Sequence, residues 1–230
     1  MAVLLKNLVA RAPQAQDLAA ITTLIISGER AEDGIADSFL EDLLSFWHRP
    51  DSHLATDAWV IVTTRGQIVG FAGVWHEDYR EISTVLCVHP DYRDRGIGTL
   101  LLRMIEVRAR EYIRLAQPGA RVVLHGLVSK GNTGAQRLFE REGYQSGHQF
   151  LRISFRQAED TGELSVPGAQ STLRADVSLE QGRLLGATPL YDRDGLCTVC
   201  LYRTYEKELR AATVPEASVA ACCDAPVAMH

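Results

Sequence analysis

Residues 88–103 read Val-His-Pro-Asp-Tyr-Arg-Asp-Arg-Gly-Ile-Gly-Thr-Leu-Leu-Leu-Arg. An apolar, β-branched run from Ile82 to Val88 stops at Pro90. Arg93, Arg95, Gly96 and Gly98 then fall within six residues, and an amphipathic pattern runs from Thr99 to Leu115. The order is strand, turn, helix. Glycine lets backbone N–H groups face a ligand with no side chain in the way. The first turn of a helix carries N–H groups without intrahelical partners, and a partial positive charge. This turn is therefore an anion cradle suited to a phosphate or pyrophosphate, with the two arginines adding charge at its rim. It has neither the Gly-Lys-Ser/Thr of a P-loop nor the G-x-G-x-x-G dinucleotide fingerprint.

Working outward, residues 58–64 and 68–75 are two β-branched and aromatic runs separated by Arg65-Gly66, which reads as a hairpin. Downstream of the long helix, Arg121 to Val128 reads as a strand and Asn132 to Glu142 as a helix closed by Gly143. Tyr144 to Phe155 is extended. Upstream, Asn7 to Arg11 is a short strand, and Leu18, Ile21, Leu24 and Ile25 set a helix from Asp17 to Ile26. Ser38-Phe-Leu-Glu41 is a capping box that opens a second helix reaching His48.

Beyond Arg156 the pattern changes. Residues 158–170 are polar with Gly and Pro and read as a linker, 171–185 fits strand or helix, and Asp192-Arg-Asp-Gly195 is a turn between two apolar runs. These elements predict an α/β chain with a mixed sheet. It divides into a domain over 1–157, a C-terminal extension over 158–210 that either completes the sheet or forms an appended subdomain, and a tail over 211–230.

The 230 residues are 46% hydrophobic and 23% charged, enough for a real core. The formal net charge of −5 argues against nucleic acid as the main partner. No apolar run approaches the roughly 20 residues of a membrane span, and the N-terminus does not read as a signal peptide. Five cysteines do not make a disulfide scaffold. Cys197 and Cys200, spaced three apart on a strand, point to opposite faces, so no metal site is expected from them and the adjacent Cys222-Cys223. A cytoplasmic protein is expected, and a homodimer is compatible with the sequence.

Arg93-Asp-Arg-Gly-Ile-Gly98 after Val88-His-Pro-Asp-Tyr resembles the acetyl-CoA signature of the GNAT N-acyltransferase superfamily. Asn132-Thr-Gly-Ala-Gln-Arg-Leu-Phe-Glu-Arg-Glu-Gly-Tyr144 is similar to that family's later motif, and the resemblance spans roughly Asn7 to Phe155. It implies a GNAT-like mixed sheet with a splayed parallel strand pair (82–88 and 121–128) flanked by helices. Acetyl-CoA would be the co-substrate, lying in that wedge. Its pantetheine amides would pair with the backbone of Leu86 and Val88, with Cys87 between them. Its pyrophosphate would rest on the turn Arg93, Asp94, Arg95, Gly96, Ile97, Gly98 and Thr99, chiefly on the N–H groups of 95–99. Asn132 would touch the cofactor near its pantetheine or thiol end. An amine would attack the thioester directly. The acidic residues Glu29, Glu32, Asp33, Asp37, Glu41 and Asp42 read first as a solvated helix end, and otherwise as a group favouring a cationic acceptor.

Two positions depart from the family pattern. The tyrosine usual in the later helix is Phe139, and a glutamate that some relatives carry on the preceding strand is Leu127. Catalysis would then fall to other groups, and His125 and Glu81 are the candidates, with water and positioning alone as the other route. The functional reading is an N-acetyltransferase acting on a primary amine of a small molecule or protein. The alternative is a catalytically silent acyl-CoA-binding sensor. A covalent route through Cys87 is a third chemistry, less suited to the fold than direct transfer.

Overall fold

The structure is a computed structural model and describes residues 7–33, 43, 46–49, 53–156, 172–180, 183–184 and 197–212. The order is β1 (Leu8–Arg11), α1 (Leu18–Asp33), α2 (Leu54–Asp57), β2 (Ala58–Thr63), β3 (Ile68–His76), β4 (Glu81–Val88), α3 (Ile97–Tyr112), β5 (Val122–Ser129), α4 (Thr133–Arg141), β6 (Gln145–Arg156), β7 (Thr172–Glu180), β8 (Arg183–Leu184) and β9 (Cys197–Arg210). Leu43 and residues 46–48 are also helical.

These strands form one mixed sheet in the order β1-β2-β3-β4-β5-β9-β6-β7-β8. Every described pairing is antiparallel except β4 with β5, which are parallel and joined by the α3 crossover. The parallel register runs Glu81↔Val123, Ile82↔Leu124, Ser83↔His125 and Thr84↔Gly126, and stops there. On its other side β4 stays paired with β3 through Val88, and β5 stays paired with β9 through Ser129. The two central strands therefore part after Thr84 and Gly126 and leave a wedge in the middle of the sheet.

Alternation along the strands splits the core in two. On one face Ile61, Val69, Ala72 and Ile82 pack with Leu101, Leu102 and Ile105 of α3, with Phe139 of α4 and with Tyr205. On the other, Val60, Ile68 and Phe71 pack with Ile21, Leu24 and Ile25 of α1 and with Leu43 and Phe46. Thus α3 and α4 cover one face, and α1 covers the other.

Several elements differ from the sequence expectation. Helix α1 runs on to Asp33, because tertiary contacts continue past the apolar spacing that suggested its end. Helix α3 opens at Ile97 and not at Thr99, with Gly96 as its N-cap. Residues 172–180 are a strand, paired with β6. Strand β9 lies between β5 and β6 and so belongs to the same sheet as the first 157 residues. The 38–41 capping box, the 158–170 linker, the Asp192–Gly195 turn, Cys222-Cys223 and residues 213–230 lie outside the described residues.

Candidate active site

The wedge is the inner end of a cavity of about 660 Å³. Its floor is where the strands separate, lined by Thr84, Val85, Leu127 and Phe139, and its mouth lies at Gly96, Gly98, Thr99 and Asn132. One wall is the buried side of α1, through Ile25, Gly28, Glu29 and Glu32.

The turn at the mouth is built by backbone geometry. Asp94 and Gly96 both have positive φ, 59° and 84°. At Gly96 that conformation costs a side chain of ordinary shape about 1–2 kcal/mol, which is why glycine sits there. The first helical bond of α3 is from the Leu100 N–H to the Gly96 carbonyl at 3.0 Å. The N–H groups of Ile97, Gly98 and Thr99 thus stand outside the helical ladder at its positive end. Arg93, Arg137 and Arg141 also line the cavity, and Arg141 donates to the Thr99 hydroxyl at 2.8 Å.

Along β4, the His89 N–H bonds to the Val69 carbonyl on β3 at 2.9 Å. Strand alternation then turns the polar groups of Val88 and Leu86 toward the wedge, where β5 no longer reaches them. An open strand edge that ends on a cationic helix mouth fits a ligand with an extended amide arm and an anionic head.

Residues 55–146 match the family described as "Acetyltransferase (GNAT) domain". This chain carries a GNAT acetyltransferase domain. An acetyltransferase of Sodalis glossinidius (strain morsitans) is 26% identical over 125 residues, 52% of this chain and 83% of that protein. An acetyltransferase of Pectobacterium atrosepticum is 26% identical over 111 residues, 46% and 74% of the two chains. Among solved structures, a GCN5-related N-acetyltransferase from Sphaerobacter thermophilus matches with a TM-score of 0.70 at 19% identity, over 90% of this chain and 98% of that one. The protein yncA from Salmonella typhimurium, solved with its cofactor acetyl-CoA, matches with a TM-score of 0.51 at 17% identity, over 93% and 100%. At these identities the structures speak for the fold. The GNAT domain makes the chain an acyltransferase.

Within this GNAT chain, Leu86, Cys87, Val88, Arg93, Asp94, Gly96, Gly98, Thr99 and Asn132 all line the cavity. Arg95 and Ile97 do not. The Arg95 guanidinium donates to the Asp91 carbonyl at 2.9 Å and lies 4.8 Å from the Tyr92 ring centre, and the Ile97 side chain is in the core, so only their backbone faces the turn. Cys87 packs under α1 beside Gly28, with its sulfur 3.8 Å from the Leu24 carbonyl. Burial, with Glu32 and Glu29 nearby, pushes its thiol up to about 12, too high for a ready nucleophile at neutral pH.

Glu81 and His125, far apart in sequence, are in direct contact through Oε2 and Nε2. The other ring nitrogen, Nδ1, is 3.7 Å from Glu206 Oε1 on β9. Both residues stand on the part of β4 and β5 that is still paired, and neither lines the cavity. Phe139 lies over Gly126 and is packed by the rings of Tyr144 and Tyr205, at centroid distances of 4.9 and 5.4 Å. Neither tyrosine lines the cavity.

Sequence reasoning missed Glu206, Arg137 and Arg141. The spacing of Arg137 and Arg141, one turn apart behind Asn132, was a usable signal. Nothing local marks Glu206, whose place depends on the β5–β9 register.

Proposed function

We propose that this GNAT chain is an N-acetyltransferase that moves the acetyl group of acetyl-CoA directly to a primary amine of a small molecule or protein. The observation that carries the reading is the wedge that opens after Thr84 and Gly126 and runs out to the N-terminus of α3. When bound, acetyl-CoA supplies a thioester carbon open to amine attack and a thiolate leaving group. The free N–H groups of Ile97, Gly98 and Thr99 hold its diphosphate, with Arg137 and Arg141 beside them. Leu86 and the Val88 N–H offer their backbone to the pantetheine amides, while the Val88 carbonyl faces Arg93 Nε at 3.4 Å. Glu81 and His125, through intervening water, take up the proton that the attacking amine loses and return one to the departing CoA thiolate, which typically contributes about 10²–10⁴ in rate. Holding both reactants in place supplies much of the remainder.

Free thiol release tests the reading, with purified protein, acetyl-CoA and a panel of primary amines. Turnover on at least one amine is expected. Gly96→Val should weaken acetyl-CoA binding by at least about tenfold, because the left-handed turn and the approach to its amides are lost together. Tight acetyl-CoA binding with no thiol release on any amine would favour the sensor.

A further inference from the structure

Glu32 sits in the last turn of α1, where a carboxylate opposes the negative end of the helix dipole. Helix stability therefore does not explain it, whereas its partners do. Arg93 Nη2, on the loop that follows β4, donates to Glu32 Oε1 at 2.6 Å. Asn132 Nδ2, at the N-cap of α4 beyond β5, donates to the same oxygen at 2.5 Å. The three residues come from three elements, 61 and 100 positions apart in sequence. Arg93 and Asn132 stand on opposite lips of the wedge, and all three residues line the cavity.

Each partner is held in a second way. Arg93 Nε lies 3.4 Å from the Val88 carbonyl, and Asn132 Oδ1 accepts the Ala135 N–H at 2.9 Å. The Glu32 side chain is only 13% exposed, so its charge-assisted bonds are little screened by water. One carboxylate therefore bridges both lips from the α1 side, over the channel between β4 and β5.

We propose that Glu32 is a positioning residue that clasps α1 across the loaded wedge and sets how long the cofactor stays bound. The inference rests on acetyl-CoA being the ligand of the wedge. Glu32 meets the rim of the anion cradle through Arg93. It acts through Arg93 and Asn132, by holding the lips together and keeping α1 in place as a wall.

The test uses the full chain and CoA. A fluorescent CoA derivative is displaced by excess CoA in stopped flow, for wild type, Glu32→Gln and Glu32→Ala. The expected result is a CoA dissociation rate raised on the order of tenfold or more in E32A, as expected on losing charge-assisted bonds. E32Q, which still accepts from Asn132 but loses the charge facing Arg93, should fall between. The association rate should stay within about threefold, and in steady state KM for acetyl-CoA should rise without a matching fall in kcat. That split separates a clasp from a merely structural residue, whose loss would lower kcat and thermal stability together. Unchanged dissociation in both variants overturns the proposal. So does faster association with dissociation unaltered, which would make Glu32 a barrier to entry. Failure of wild type to bind CoA at all overturns the acetyl-CoA reading along with it, and is told apart by that same wild-type trace.

Discussion

Gly126→Ala is the sharpest test of how the floor of the wedge is made. A Cβ at position 126 would lie 2.6 Å from Phe139 Cζ and closer still to Cε1, inside any tolerable contact. The ring cannot simply swing away, since Tyr144 and Tyr205 pack against it. Either α4 moves outward or the β5 backbone yields, and overpacking of this kind costs about 1–3 kcal/mol. Taking about 2 kcal/mol for a chain of this size, Tm should fall by roughly 4–8 °C. Differential scanning fluorimetry and urea denaturation measure this directly. Because Gly126 is the last residue of β5 paired with β4 and α4 carries Asn132 at its N-cap, acetyl-CoA affinity should fall as well. Trimming the ring should relieve the clash, so G126A with F139L should be more stable than the two single losses predict, by about 0.5–3 kcal/mol of coupling. A G126A protein that melts within about 1 °C of wild type, or a double variant that is merely additive, would refute the packing argument.

Three further outcomes follow from other parts of the molecule. Glu81→Gln and His125→Gln should each lower kcat by on the order of 10²-fold while leaving the Kd for CoA unchanged, measured by thiol release and by calorimetry; a parallel loss of CoA affinity would instead make the pair structural. Asp17 is held below the usual carboxylate value, first by hydrogen bonds from Arg11 at 2.6 and 2.9 Å and then by the Gln14 N–H. This stabilisation is present above the ordinary carboxylate value of about 3.9 and is lost as pH falls through the lower folded one. Arg11→Met should therefore cost about 1–3 kcal/mol at pH 7, with the gap to wild type closing in melting curves taken toward pH 2. Finally, the Cys87 thiol, raised from 9.0 to about 12, should hold roughly 1,000-fold less thiolate at pH 8 than an ordinary cysteine. Peptide mapping after iodoacetamide should find it nearly unlabelled, with labelling that climbs steadily up to high pH.

The local features could be read directly from the chain. Strand 82–88, the turn and the helix after it are contiguous, and their residue types fix their backbone without help from distant segments. The same is true of Asn132 and the helix closed by Gly143, which takes a φ of 87° as a left-handed helix end requires. In the C-terminal part the local signals were ambiguous. Residues 171–185 fit two periodicities, and only pairing with β6 makes 172–180 a strand.

Sequence alone determined that a glycine-rich helix mouth follows an apolar strand, and the later motif, Asn132 to Tyr144, carried the resemblance to the GNAT family. Those are properties of neighbouring residues. Tertiary structure decided which residues meet. It set Glu81 against His125, brought Glu206 from β9 to that histidine, and laid Glu32 across Arg93 and Asn132. It also put Phe139 on the one β5 residue without a Cβ in its way. Each of these depends on the register between strands or on the angle of a helix over the sheet, which follow from packing the whole core together and leave no mark on any single stretch of sequence.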